Sequence, residues 1–272
     1  MVACSGGEVD ATAPDMQTPS PDLGLFTPGS TDIPRISVVV PVKNELGNIL
    51  LLCSEIDRAL TGVEHEILYV DDGSSDDSLT ELQTAQRTYR VRTVRHAQSC
   101  GQSAAVVSGV RAARGQWIAT LDGDGQNDPA DIPAMLLRAE AETLAGGGPV
   151  LIAGHRVTRR DSWVKRFSSR FANRLRAAIL GDATPDTGCG LKVFEREAFL
   201  RLPAFDHMHR YLPALFLRAG GRVVSVPVNH RPRGAGHSNY GTLDRALVGI
   251  VDLAGVWWLM RRGKRPVILP PV

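Results

Sequence analysis

Two aspartates, Asp122 and Asp124, are separated by one glycine and followed by Gln126. They come directly after residues 117–121, an apolar run with the length of a buried strand. Carboxylate and amide oxygens on such a turn are the ligands that Mg²⁺ and Mn²⁺ prefer, and these ions usually complete their shell with waters and substrate phosphates. The pattern predicts a divalent-metal site, although a solvated acidic turn would have the same sequence.

Two further polar clusters, residues 41–45 and residues 71–76, also follow apolar, β-branched runs. The alternation of such runs with helical patterns predicts a mostly parallel α/β sheet, in which ligands lie beyond the carboxyl ends of the strands. The three clusters are therefore expected to meet at one edge. There, Glu45 and a carboxylate of the Asp71–Asp72 pair are candidates to bind a nucleotide base or ribose. A helix-capping turn also explains residues 71–76.

Composition excludes several other classes of protein. The 272 residues include 31 basic and 29 acidic side chains, and the net charge of +2 argues against bulk nucleic-acid binding. The four cysteines form no CxxC pair, which leaves zinc ribbons and thioredoxin-like sites unsupported and fits a cytosolic chain. A dinucleotide-binding dehydrogenase is disfavoured because no GxGxxG motif follows the first strand.

The chain divides into three predicted parts. Residues 1–34 are rich in proline and small polar side chains, which indicates a disordered leader. Residues 35–232 form the predicted α/β domain, in which a basic helix and an irregular segment after residue 155 precede a last strand near residues 223–228. Residues 233–272 are expected to hold a loop and a membrane-associating helix.

Three motifs in this order resemble the signature of family 2 glycosyltransferases, above all those that use dolichyl or polyprenyl phosphate: PVKNE at 41–45, VDDGS at 70–74 and LDGDGQNDP at 121–129. The resemblance covers about residues 35–241 and implies a GT-A-like, Rossmann-like fold. It implies a UDP- or GDP-linked sugar donor, bound by Pro41, Glu45, Asp72 and Asp122. It also implies a divalent cation, bound by Asp122, Asp124 and Gln126.

The segment from Arg156 to Arg176 contains eight basic residues and one acid, Asp161. It also carries an apolar stripe at four-residue spacing, formed by Trp163, Phe167, Phe171 and Leu175. A basic helix with such a stripe suits a membrane surface, but the stripe would equally pack on the core with its arginines in water. By the resemblance, the acceptor phosphate is contacted here, by Arg156, Arg166 and Ser169.

The same resemblance assigns two later elements. Asp186 matches a segment that flanks the sugar pocket, although a plain turn is equally compatible with it. Residues 231–240 resemble a flexible loop that closes over the donor, in which Arg233 and Ser238 match and Asn239 stands where lysine is usual. The implied catalytic residues are Asp122, Asp124, Arg156 and Arg233.

Residues 246–260 are apolar except for Asp252, and four basic residues follow within the next five positions. A helix of this length spans about 22 Å, short of the roughly 30 Å hydrocarbon core of a bilayer. We expect an interfacial helix with Trp257 and Trp258 at headgroup depth. A core helix or a docking helix for a membrane protein partner would look the same. The expected location is peripheral, on the cytoplasmic face of the inner or plasma membrane.

The function that the resemblance implies is inverting transfer of a sugar from a nucleotide-sugar to polyprenyl (undecaprenyl) phosphate, giving a polyprenyl-phosphate sugar for cell-envelope glycan or lipid modification. One alternative is transfer to a saccharide hydroxyl, which needs a carboxylate base where residues 155–176 offer arginines. Another is a non-catalytic membrane-bound scaffold, against which the intact Asp122 and Asp124 pair argues.

Overall fold

The computed structural model describes residues 33–156, 176–232 and 242–262. Within these residues, seven strands form one sheet in the order β3-β2-β1-β4-β6-β5-β7. The strands are β1 (Ile36–Val42), β2 (His65–Asp71), β3 (Val91–Arg95), β4 (Trp117–Thr120), β5 (Val150–Arg156), β6 (Lys192–Glu195) and β7 (Arg222–Val228). Strand β6 runs antiparallel to β4 and β5, and the other neighbouring strands are parallel.

Helices cover both faces of the sheet. They are α1 (Ile49–Ala59), α2 (Ser78–Thr88), α3 (Gln102–Ala112), α4 (Ile132–Leu144), α5 (Arg196–Leu200), α6 (Leu212–Arg218) and α7 (Thr242–Arg261), and residues 176–180 are helical as well. Helices α1, α2 and α4 pack on one face, and α3, α5, α6 and α7 pack on the other. Because both faces are covered, the interior strand β1 is an almost continuous run of buried apolar side chains.

The predicted mostly parallel α/β sheet is confirmed, but one strand in it was not expected. Strand β6 lies in the segment for which the sequence indicated irregular structure. Its four residues begin with Lys192 and end with Glu195, so they provide neither an apolar run nor a useful alternation. The strand forms because β4 and β5 supply hydrogen-bonding partners on both sides, which is a long-range effect.

The C-terminal helix is longer than expected. It has 20 residues, from Thr242 to Arg261, because four residues that form no continuous apolar run, TLDR at 242–245, and Arg261 extend the predicted 246–260 segment. None of the helices in the described ranges, α7 included, combines the length and apolar character that a membrane span requires. The predicted leader, except for residues 33 and 34, and the predicted stripe at 163–175 lie outside the described residues.

Candidate active site

The first two polar clusters are joined side by side at the carboxyl edge of the sheet. The backbone N–H of Asn44 donates to Ser74 Oγ (3.0 Å), and that of Ser75 donates to Asn44 Oδ1 (2.8 Å). The backbone N–H of Glu45 donates to Ser78 Oγ (2.9 Å). Because β1 and β2 are parallel neighbours, the residues that follow them form one continuous wall.

The acidic turn, residues 122–126, lies against the end of β1. A Cβ atom on Gly123 would lie 2.6 Å from Val42 Cγ1, 3.1 Å from the Pro41 carbonyl oxygen and 3.5 Å from Glu45 Cγ. Glycine, which has no Cβ, allows this close approach. The three polar clusters therefore meet at one site, and the predicted convergence is confirmed.

The two carboxylates of the acidic turn are crowded together. Asp124 is buried and Asp122 is half-buried. Burial and then the charge of Asp124 raise the pKa of Asp122, whereas the charge of Lys192, a 2.8 Å hydrogen bond from Gln102 Nε2 and the charge of Arg156 oppose the rise. Two carboxylates that repel each other in a partly buried turn fit a divalent cation, which would replace this repulsion by attraction.

Gln126, the third expected ligand, is tied to the segment that follows β7. Its N–H donates to Asp124 Oδ1 (3.1 Å) and its Nε2 to the Arg231 carbonyl (3.4 Å). The backbone N–H of Arg231 also donates to the Gln126 carbonyl. The Arg231 guanidinium forms a bidentate ion pair with Glu55 of α1 (2.8 and 2.7 Å) and donates to the Asn127 carbonyl (3.1 Å). Arg231 therefore braces the turn, and a metal contact from Gln126 stays a prediction.

Asp72 is buried, and its carboxylate is engaged within the chain. Oδ1 accepts hydrogen bonds from His96 Nδ1 (2.7 Å) and the Cys100 N–H (2.8 Å), and Oδ2 accepts from Ser99 Oγ (2.7 Å) and the Gly101 N–H (2.9 Å). Burial alone would raise the pKa of Asp72, but these hydrogen bonds hold it below its ordinary value. Asp72 thus fixes the loop that leads into α3, and direct contact with a nucleotide stays a prediction.

Asp72, His96 and Cys100 also bring one potential metal-ligand atom each within 4.8 Å of one another. However, His96 Nδ1 bonds to Asp72 and His96 Nε2 bonds to Ser108 Oγ (2.9 Å), so both ring nitrogens are already used. A cation here would have to displace these hydrogen bonds. The acidic turn is therefore the better candidate for a cation site.

Arg156 and Asp186, for which the sequence indicated separate roles, form a bidentate ion pair. Arg156 Nε and Nη2 donate to Asp186 Oδ2 (2.6 Å) and Oδ1 (2.8 Å), and the two side chains are 16% and 6% exposed. The hydrogen bonds to Asp186 raise the pKa of Arg156. A Cβ atom added to Gly188 would lie 3.3 Å from Arg156 Nη2, and Gly190, two residues later, packs against Asp122, so one short segment joins the ion pair to the acidic turn. Four other expected site residues, Arg166, Ser169, Arg233 and Ser238, lie outside the described residues.

A cleft beside Asp122 contains two ionisable residues that were not expected from the sequence, Lys192 and His209. Lys192 is 3% exposed, and burial lowers the pKa of its amine. Burial also lowers the pKa of His209 to about 3, and its Nδ1 bonds to Ser103 Oγ (2.7 Å). The only signal for Lys192 is a lysine inside an otherwise apolar run, 191–194.

Comparison with known proteins agrees with this geometry. The model of glycosyl transferase family 2 matches residues 37–202. A dodecaprenyl-phosphate galacturonate synthase of Rhizobium johnstonii is 34% identical over a 239-residue alignment, and the match covers 85% of this chain and 69% of that protein.

Two solved structures show the same fold. Glucosyl-3-phosphoglycerate synthase of Mycobacterium tuberculosis, in complex with Mn²⁺, UDP and phosphoglyceric acid, has a TM-score of 0.60 at 20% identity, over 85% of this chain and 80% of that one. A mannosyltransferase of Pyrobaculum calidifontis, in complex with GDP-Man and Mn²⁺, has a TM-score of 0.60 at 21% identity, over 87% of this chain and 67% of that one. With its three motifs assembled on this sheet, the chain belongs to glycosyl transferase family 2 and is a glycosyltransferase with a GT-A fold.

Proposed function

We propose that this chain transfers a sugar from a UDP- or GDP-linked donor to polyprenyl phosphate, such as undecaprenyl phosphate, with inversion at the anomeric carbon. The observation that carries the proposal is the Asp122–Asp124 carboxylate pair on a turn that packs against Gly190, in the same 186–190 segment that holds the guanidinium of Arg156. The anionic pair suits the cation of a donor diphosphate, and the guanidinium suits an acceptor phosphate. The 34% identity to a dodecaprenyl-phosphate galacturonate synthase supports this acceptor class.

On the donor side, Asp122 and Asp124 would hold Mg²⁺ or Mn²⁺, with Gln126 as a further ligand. The bound ion would neutralise charge on the diphosphate leaving group. The Mn²⁺ complexes of the two structural neighbours support this choice of ion. Pro41, Glu45 and the loop held by Asp72 would line the nucleotide, and Arg233 and Ser238 are expected to close over the donor.

On the acceptor side, the phosphate is already ionised at neutral pH, so no strong general base is needed. The cleft offers no strong base in His209, since burial lowers the pKa of this histidine to about 3, and this agrees with an acceptor that needs none. Catalysis then depends on holding a phosphate oxygen in line with the anomeric carbon and stabilising the leaving diphosphate. Arg156, held by Asp186, would bind the acceptor phosphate together with Arg166 and Ser169.

Because a polyprenyl acceptor stays in the bilayer, we also propose peripheral attachment through α7, at the cytoplasmic face of the inner or plasma membrane. The outer side of α7 is apolar: Ile250, Val251, Trp257 and Trp258 are 65%, 71%, 38% and 55% exposed. The opposite side packs into the core through Val256. Arg261 stacks on Trp257 (4.2 Å to the ring centroid) and Arg262 on Trp258 (5.7 Å). Tryptophans with adjacent arginines suit the headgroups of an anionic bilayer.

The proposal is tested by supplying radiolabelled UDP- and GDP-sugars, with Mn²⁺, to the full chain in anionic vesicles that contain undecaprenyl phosphate. We expect one donor to yield label that extracts with the lipid, and none to do so when undecaprenol replaces its phosphate. Label transferred to a saccharide instead would establish the hydroxyl-acceptor alternative. Absence of both transfer and nucleotide release across all donors would leave the scaffold alternative and refute the proposal.

A further inference from the structure

Lys192 is a buried cation beside the acidic turn, and neither the family motifs nor the proposed reaction uses it. It lies on β6 opposite Thr120, two residues before Asp122 in the chain. It also lines the cleft next to Asp122, although it is only 3% exposed. Moving an ammonium group out of water costs free energy, so a buried lysine at this position indicates that its charge or its hydrogen bonds have a compensating role.

Two hydrogen bonds fix the backbone beneath Asp122. Lys192 Nζ donates to the carbonyl of Cys189, and Thr120 Oγ1 donates to the carbonyl of Gly190 (2.7 Å). These bonds hold the peptide groups on either side of the Gly190 Cα atom. That atom packs directly against Asp122, since a Cβ added to Gly190 would overlap the Asp122 carboxylate. Lys192 and Thr120 therefore hold the surface on which this carboxylate rests.

The electrostatics agree with the geometry. Burial lowers the pKa of Lys192, and the negative charges around it, those of Asp122 and Asp186 among them, oppose that change. Among the charges that act on Asp122, that of Lys192 opposes the rise of its pKa most strongly. Lys192 and Asp122 thus stabilise each other's charged forms.

We infer that Lys192 is a positioning residue, which sets the geometry of the Asp122 carboxylate through the Cys189–Gly190 peptide. The inference rests on the proposed function only in that Asp122 is taken to bind the cation of the donor. It makes an unusual prediction about that cation. If Lys192 acted only as a nearby positive charge, its removal would strengthen cation binding; if it positions Asp122, its removal weakens binding.

Lys192→Met tests the inference because it removes the charge and the hydrogen bond while keeping a side chain of similar shape. Mn²⁺ is titrated into the full chain with UDP, and the free ion is measured by electron paramagnetic resonance. We expect affinity to fall about ten- to a hundredfold, as for other residues that orient metal ligands. Arg87→Met removes an exposed cation in the last turn of α2, outside the three polar clusters, and is the control for net charge; it should leave affinity unchanged. Unchanged or tighter binding in Lys192→Met would overturn the inference.

Crystal structures of the ligand-free wild type and variant give a readout that needs neither metal nor acceptor. We expect the Asp122 carboxylate to move away from Gly190 in Lys192→Met, and an unmoved Asp122 would refute the positioning role. If thermal unfolding shows that Lys192→Met does not fold, Lys192→Gln, which removes the charge but keeps a donor for Cys189, is measured instead. The positioning role then predicts near-wild-type affinity and an unmoved Asp122, and tighter cation binding would overturn it. A displaced Asp122, in a protein whose wild type transfers no sugar to polyprenyl phosphate, would uphold the inference and reject the proposed function.

Discussion

Asp72 and Asp122 both follow buried parallel strands at the same sheet edge, yet their surroundings are opposite. The Asp72 carboxylate accepts hydrogen bonds from His96, Ser99, Cys100 and Gly101, which hold its pKa below the ordinary value. The Asp122 carboxylate faces Asp124, and its pKa is raised. The chain therefore surrounds the Asp72 carboxylate with four hydrogen-bond donors, whereas it places the Asp122 carboxylate beside a second negative charge, that of Asp124. The second arrangement is the one that suits a cation.

The largest expected effect is on catalysis. Asp124→Asn removes one of two carboxylates expected to hold the cation, so the rate of sugar transfer should fall by about 10²–10³-fold or more. Excess chelator should have the same effect on the wild type. The exposed Asp77, which makes no side-chain cap on α2, provides the matched control, and Asp77→Asn should remain active. Full activity of the wild type in excess chelator would contradict the metal assignment.

The two aspartates should also differ in their contribution to stability. Asp72→Asn weakens hydrogen bonds to a buried charge and should lower the free energy of unfolding by about 1.5–3 kcal/mol. Asp122→Asn removes a repelled charge and should leave that free energy unchanged or raise it. Urea denaturation of the metal-free proteins measures both. If Asp122→Asn lowered the free energy of unfolding more than Asp72→Asn, the proposed difference between the two carboxylates would be contradicted.

The effect of Asp72 should depend on pH in a defined direction. Its folded pKa lies below the ordinary value of 3.8, so its stabilisation is fully present above that value and disappears as the pH falls through the folded pKa. The difference in unfolding free energy between wild type and Asp72→Asn should be constant near neutrality and shrink below about pH 4. If the difference in unfolding free energy grew as the pH fell, the pKa of Asp72 would be raised in the folded state rather than lowered, which would contradict the prediction.

On the acceptor side, Arg156→Gln should raise the KM for polyprenyl phosphate about ten- to a hundredfold, since it removes a charge-assisted contact to phosphate. Arg166→Ala is expected to act in the same direction. Donor affinity, measured by calorimetry, should change little. Asp186→Asn, which keeps the guanidinium and loosens its anchor, should have a smaller effect. Equal losses for donor and acceptor would place Arg156 in the donor site.

The smallest expected effect is on membrane binding. Replacing Trp257 and Trp258 by serine should weaken binding to anionic vesicles about five- to tenfold, and the remaining binding should be sensitive to salt. These substitutions are preferable to deleting α7, whose inner side is part of the core. Leu144→Ser, at a residue 89% exposed on the opposite face of the sheet, is the matched control. Unchanged flotation of the double variant would indicate that this side of α7 faces a protein.

The sequence was informative where local pattern decides structure. The β-branched runs and their polar ends were enough to predict the convergence of residues 41–45, 71–76 and 122–126, because parallel strands place their carboxyl ends together. Strand β6 was not predictable, since its pairing with β4 and β5 is long-range. The position of Lys192, the first residue of that strand, was not predictable for the same reason.

Hydrogen-bond partners that contribute only backbone groups also cannot be predicted from the sequence. Two of the donors to Asp72 are the N–H groups of Cys100 and Gly101, which any residue except proline would provide. The Arg156–Asp186 pair joins residues 30 positions apart, and no local spacing indicates it.

The comparison between the two acidic strand ends is tested most directly by anomalous scattering from Mn²⁺ in a crystal grown with a nucleoside diphosphate. We expect a peak within coordination distance of Asp122 and Asp124, and none at the cluster of Asp72, His96 and Cys100. A peak at that cluster, with the acidic turn empty, would contradict the account.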